Sequence, residues 1–175
     1  ILIHPEVAFT LYHDGTPVLD SSSARSPLEK VATVYGTEVA REMLPVESSE
    51  RGITVRGYIC KPAVTRASTS HQYFYVNRRP IQSQLLSQAL RDAYGTRIMK
   101  NRHPIAVLAL EIDPARIDVN IHPTKSQIRF ENEREVYNVV VEAVSRALKS
   151  RPLIPLVSAR PREEVPISGT ARQTV

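Results

Sequence analysis

Chemistry-bearing residues concentrate between Ile117 and Phe130, where the chain reads IDVNIHPTKSQIRF. Asp118, Asn120 and His122 alternate with Ile117, Val119 and Ile121, a period of two that predicts a strand with one polar and one apolar face. Pro123 has no N–H for a ladder, so the strand must stop there and turn through Thr124, Lys125 and Ser126 before Ile128 and Phe130 resume the alternation. Lys125 is therefore expected near the tip of a short, stiff loop, where its compact ammonium suits contact with a phosphate. On residue type alone, most loop-tip lysines are solvated surface. Asn120 and His122, on the polar face, are expected to hold that loop by hydrogen bonds rather than to touch a ligand.

A second candidate set is basic. From Arg51 to Leu110 there are ten Lys or Arg residues (Arg51, Arg56, Lys61, Arg66, Arg78, Arg79, Arg91, Arg97, Lys100 and Arg102) against one acid, Asp92. The stretch carries +9 and the remainder −4, within a net charge of +5. Such polarity suggests a face for a polyanion, nucleic acid first; the competing reading is that the charges point several ways and form no patch. Arg78 and Arg79, in the turn Asn77-Arg78-Arg79-Pro80, are the first candidates for DNA phosphates, and Arg66, on a polar loop, is another. No helix-turn-helix or zinc finger is present, so any binding should be phosphate-mediated and indifferent to sequence. His4, His13, His71 and His103 have no ligand spacing to one another or to Cys60, so no metal site is expected.

These residues need a scaffold. With 42% hydrophobic and 23% charged residues in 175, the chain can bury one ordinary core. No apolar run approaches 18 residues, so no membrane span is expected. Cys60 is the only cysteine; it excludes an internal disulfide, fits a reducing compartment, and is expected as a small buried side chain. The opening ILIHPEVAF is no signal peptide, and the missing initiator Met suggests a fragment.

In order, Val7 to Asp20 reads as a hairpin turning at Asp14-Gly15. Ser26-Pro27-Leu28-Glu29 is a capping box before a helix whose Leu28, Val31, Ala32 and Tyr35 keep helical spacing and which Gly36 closes. A second short helix is expected, capped by Thr37 and stopped by Pro45. Ile53–Cys60 reads as a strand, 63–71 as a loop, and Tyr73–Val76 as another strand. Ser83 caps a helix bearing Leu85, Leu86, Ala89, Leu90, Ala93 and Tyr94, with Gly95 weakening its last turn. Ile105–Ile112 suits a central strand. Asn132 and Glu135 start a helix with Val136, Tyr137, Val140, Val144 and Leu148 on one side. Alternating strands and helices imply an α/β sandwich over residues 1–150. Residues 151–175, rich in proline and without an apolar period, read as a flexible linker or tail.

The motif NIHPTK resembles the Asn-Val-His-Pro-x-Lys signature of the MutL family of DNA mismatch-repair ATPases. HPEVAFTLYHDG, a helix ending VYG, YFYVNRRPI and LALEIDPARIDVNIHP follow in the family's order, so the resemblance covers about residues 1–150. It implies the second, or transducer, domain of the N-terminal ATPase half, a two-layer α/β sandwich like domain 2 of ribosomal protein S5. It also implies ATP and Mg²⁺ bound by a preceding domain of the same chain, and a dimer with itself or a related subunit. Further partners it implies are DNA and a mismatch-recognition protein, in the cytoplasm of a prokaryote or the nucleus of a eukaryote. Lys125 would reach the γ-phosphate as both cofactor-binding and catalytic residue, held by the Asn120-His122-Pro123 support. The Asn-Glu-x-x-Asp-Ala helix and the Asp-x-Gly-x-Gly loop of the nucleotide pocket are absent from this sequence, so by itself it is expected not to be an enzyme. Many relatives read Val-Asn-Gly-Arg, with further basic residues at the start of the following helix, where this chain has Val76-Asn77-Arg78-Arg79 and then Gln82 and Gln84; arginine in the turn suggests that the backbone does not need a glycine-only conformation. The alternative reading is an S5-like nucleic-acid-binding module of translation type with no ATP role.

Overall fold

The computed structural model describes residues 7–21, 26–118 and 128–150. It begins with a hairpin of β1 (Thr10–His13) and β2 (Thr16–Asp20), followed by helices α1 (Pro27–Tyr35) and α2 (Thr37–Arg41). Next come β3 (Met43–Glu50), β4 (Ile53–Cys60), β5 (Thr65–Arg66), β6 (Gln72–Val76), β7 (Arg79–Ile81) and helix α3 (Gln84–Tyr94). Then follow β8 (His103–Pro104), β9 (Ala106–Ile112), β10 (Ile117–Asp118), β11 (Arg129–Phe130) and helix α4 (Glu133–Lys149).

Five strands form the main sheet in the order β3-β4-β9-β6-β7, antiparallel except for the parallel pair β6 and β9. The apolar run Ile105–Ile112 provides the central strand, as its composition demands. Strand alternation puts Leu44, Val46, Ile53, Val55, Phe74, Leu108 and Leu110 into one core, which α3 and α4 cover with Leu86, Leu90, Tyr94, Val136, Val140 and Val144. The result is the two-layer α/β sandwich expected from the sequence. A smaller, separate cluster of Val31, Ala40, Met43, Cys60 and Ile105 seats α1 and α2. Cys60 is fully buried, and that burial pushes its thiol up to about 12.

The helix starts follow from local chemistry. Ser26 accepts from the Glu29 amide (3.2 Å), Ser83 from Leu86 (3.3 Å) and Asn132 from Glu135 (3.1 Å), each satisfying a donor that the first turn leaves open.

Three expectations need correction. Pro45 does not stop a helix: α2 ends at Arg41, and Pro45 lies inside β3, opposite Tyr58. β3 is an edge strand, where a residue without an N–H is tolerated because its nitrogen can face solvent. Thr37 does not cap α2; Gly36 does, at φ 88, with no side-chain bond. The segment 63–71 is not wholly loop, since β5 pairs with β8 and a 3-10 turn at Thr69–His71 is capped by Ser68.

No pattern in the sequence marks Lys30 for burial. It is 2% exposed, and its ammonium donates to Ser21 O (2.6 Å), Val7 O (3.0 Å) and Ser21 Oγ (3.3 Å), tying the base of the β1–β2 hairpin to α1. A buried ammonium is tolerated only where its three donors are met, as they are here.

Between the two long helices, the Tyr137 hydroxyl donates to Asp92, which also accepts from Gln88 at 2.9 and 3.0 Å. These bonds, Tyr137 foremost, hold the Asp92 carboxyl below the usual aspartate range. A depressed folded-state value gives stability that is present above the unfolded value and lost as pH falls through the folded one. Tyr137→Phe should therefore cost about 0.5–1 kcal/mol at pH 7, discounted for exposure. The gap between the two proteins should close below about pH 4. Denaturant melts of both across pH 3–7 check this; a gap independent of pH would mean that the hydroxyl acts through packing alone.

Candidate nucleotide and nucleic-acid sites

The stretch singled out for phosphate chemistry stands on two short paired strands. Ile117 pairs with Phe130 and Asp118 with Arg129. Phe130 is 5% exposed and belongs to the main core, so one foot is anchored by burial. The other foot is held by a turn: Asp113 Oδ1 accepts from the Ala115 amide (2.9 Å), and the Arg116 carbonyl accepts from Glu131 N (2.9 Å). Arg116 adds a lock, donating to Arg51 O (3.0 Å) and to the Glu135 carboxylate. No local pattern marks Arg116 for this part, because its partners lie 65 and 19 residues away. Lys125, Asn120, His122 and Pro123 lie outside the described residues.

Arg78 sits in the turn joining β6 to β7, while Arg79, expected in the same turn, is instead the first residue of β7, paired with Val76; both are exposed. Asn77 and Arg78 have φ 48 and 66, the pair of positive values that a two-residue hairpin turn requires. Arginine thus occupies the left-handed region that glycine would fill without strain, and the glycine-type backbone is kept rather than replaced. Asn77 steadies the turn by extending the ladder: its Nδ2 donates to Ile112 O (2.8 Å) and its Oδ1 accepts from Ile112 N (3.0 Å).

Arg66 does not join them. It lies on β5 opposite His103, at the end of the sheet where Gln72 pairs with Ala106, whereas Arg78 follows Val76, which pairs with Leu110. The length of β6 separates the two places by about 17 Å. Two other cations of the basic stretch are matched by carboxylates: Arg56 lies 3.6 Å from both Glu47 and Glu111, and Lys61 3.1 Å from Glu42. The +9 stretch is therefore not one face. Arg51, Arg78 and Arg79 share the sheet end from which β9 leads to β10, while Arg66, Arg102 and, beside His103, Arg91 lie at the other.

A cleft of about 1170 Å³ opens beside β6 and β7, lined by Ser70, Gln72, Tyr73, Ser83, Phe130 and Glu133 among others. Among its described lining residues hydroxyls and amides predominate over charged groups, and Glu133 is the one ionisable carboxylate. Among the described residues no group of three or more His, Cys, Asp or Glu could hold a metal ion, and no helix is long and apolar enough to cross a membrane.

The sequence profile of a family described as DNA mismatch repair protein, C-terminal domain, matches residues 31–149, well over half of the chain. The chain belongs to the DNA mismatch repair family. MutL of Geobacillus kaustophilus is 39% identical over 173 residues, covering 99% of this chain and 28% of that protein. MutL of Halalkalibacterium halodurans is 40% identical over 154 residues, covering 88% and 24%. The chain thus spans about a quarter of the length of these mismatch repair relatives. Among solved structures, the N-terminal domain of a DNA repair protein superposes with TM-score 0.68 at 25% identity, over 84% of this chain and 49% of that one. The ATPase domain of the Aquifex aeolicus mismatch repair endonuclease MutL superposes with TM-score 0.51 at 28% identity, over 82% and 46%. In each, this family member matches about half of a longer chain.

Proposed function

We propose that residues 1–150 are the transducer domain of a MutL-type ATPase and that 151–175 link it onward. In this reading Lys125 approaches the γ-phosphate of an ATP held, with Mg²⁺, by a preceding domain of the full-length protein. There it offsets charge that develops as water attacks, while the general base belongs to that other domain. Asn120, His122 and Pro123 support the loop. The full-length protein dimerises, with itself or a related subunit, and works inside the cell with DNA and a mismatch-recognition protein.

One observation carries the reading. The motif NIHPTK is strung between two feet fixed by Phe130 burial and by the Arg116 bonds to Arg51 and Glu135, a stiff base of the kind that a charge-positioning lysine needs. Arg51, Arg78 and Arg79 lie at the same end of the sheet, so a nucleotide-sensing loop and a phosphate-binding surface would be neighbours. The translation-type module without an ATP role has no comparable support, since the matched family and relatives are mismatch repair proteins.

The DNA half of the proposal is tested by titrating salt against duplex binding for the full-length protein and its Arg78→Glu/Arg79→Glu variant. Binding should weaken steeply with salt in the parent. In the variant, the slope of log affinity against log salt should shrink by about 2, since two phosphates are no longer neutralised. Equal affinity with an equal slope would make both arginines ordinary solvated surface.

A further inference from the structure

Two guanidiniums share one oxygen at the β5–β8 end of the sheet. Arg102 Nη2 donates to Thr65 O at 2.9 Å and its Nε to Thr65 Oγ1 at 3.0 Å, while Arg66 Nη1 donates to the same Thr65 O at 3.2 Å. The two donor nitrogens are therefore at most about 6 Å apart. Thr65 O is open to them partly because Pro104, its cross-strand neighbour, has no N–H to offer.

Among the described residues neither arginine pairs with a carboxylate. Their neighbourhood is also cationic. Arg91 stands near His103, whose pKa is lowered by burial first and by Arg91 second, and His103 is the residue opposite Arg66. Arg97 donates to Tyr94 O at 3.4 Å, and Lys100 is exposed on the turn that leads to Arg102. Like charges held this close repel, and of the ten N–H donors on two guanidiniums only three are used here. An arginine pair that is fixed in place, close together and uncompensated is arranged for a shared oxyanion.

We propose that Arg66 and Arg102 form a phosphate-binding site, with Arg97 and Lys100 extending it, and that a backbone phosphate of nucleic acid occupies it. The shared chemistry is a phosphate oxyanion. A free phosphate needs enclosure, which this open end of the sheet does not give, whereas a polyanion can use cations spread along a surface. This inference rests on the DNA-binding part of the proposed function and adds a second anchoring point, one β6 length from the Arg78–Arg79 turn.

The test uses the full-length protein, duplex DNA, and the variants Arg66→Gln/Arg102→Gln and Arg97→Gln/Lys100→Gln, each with a thermal melt. The first should lower affinity at least tenfold at moderate salt and cut the salt slope by about 1 to 2. The second removes charge from the surface and should cut the slope by about 1 to 2 with an unchanged melt, so it decides the matter if the first variant unfolds. Losses from Arg66→Gln/Arg102→Gln and Arg78→Glu/Arg79→Glu should multiply, because the sites are far apart. Unchanged affinity and slope in both neutralised variants, beside a weakened Arg78→Glu/Arg79→Glu protein, would overturn this site while the broader DNA reading stands. No change in any of the three sinks both. If inorganic phosphate or ATP protects the wild type but not Arg66→Gln/Arg102→Gln, and DNA affinity is the same for both, the site serves small phosphates and the nucleic-acid assignment is wrong.

Discussion

In the full-length protein, Lys125→Ala is expected, on the proposed reading, to slow ATP hydrolysis by about 10²-fold or more, the scale for removing one charge interaction made in the transition state. Its melting temperature should hardly move. The sequence expects Lys125 at a loop tip, where a side chain contributes little to packing, and the described strands on either side, β10 and β11, are secured independently by Phe130, Arg116 and Glu135. Lys125→Arg is informative beside it: the charge is kept, but a planar fork replaces a compact ammonium, so activity should recover only in part. The readout is steady-state turnover at saturating ATP together with a melt. Unchanged turnover in Lys125→Ala would remove the catalytic role and leave NIHPTK as a structural turn.

Arg116→Ala tests the base apart from the lysine. It removes the bonds to Arg51 O and Glu135 beside β10, and on the proposed reading the full-length protein is expected to lose turnover through positioning rather than charge, read by the same steady-state assay.

What the sequence made legible was local. The Asp14-Gly15 turn, with φ 48 and 75, and the Ser26, Ser83 and Asn132 caps each depend on residues within a few positions, so composition and spacing suffice. β9 was legible for a different reason: a central strand packs most of its length into the core, and five of its seven residues are buried, with Glu111 alone exposed on the face away from α3 and α4. β3 was not legible, because Met43–Glu50 holds a proline, two serines and two glutamates, and only its eight-residue pairing with β4 makes it a strand.

The basic residues could be counted in the sequence, but how the fold would arrange them could not be read there. Arg56 looked like part of a basic face, yet Glu47 and Glu111 flank it from neighbouring strands on either side of β4. Arg66 and Arg78 are close in sequence but stand at opposite ends of β6, because that strand runs between them. Lys30 and Arg116 perform their tasks through backbone carbonyls, which no side-chain pattern advertises.

Gly57 shows how much a single unmarked position can decide. It lies in the middle of β4, paired with Val46 on one side and Leu108 on the other, at φ +146. A Cβ placed there would stand 2.0 Å from Val107 O and 3.0 Å from Leu108 Cα. Both obstacles are backbone of the central strand, so neither can swing aside as a side-chain tip would. Gly57→Ala must therefore either open the β4–β9 ladder or force β4 out of its conformation, and should cost about 3 kcal/mol or more. Against a total of roughly 5–15 kcal/mol for a domain, that loss is a large share. Gly15→Ala is the control: nothing lies within 4 Å of its Cβ, so only the positive φ is penalised, at about 1–2 kcal/mol. Denaturant unfolding of the three proteins decides; a Gly57→Ala loss no larger than that of Gly15→Ala would mean that the strands separate at this point without penalty. The comparison also guards the first prediction. Any ATPase lost in Gly57→Ala should track the unfolded fraction and return at lower temperature, whereas the deficit in Lys125→Ala should persist in a fully folded protein.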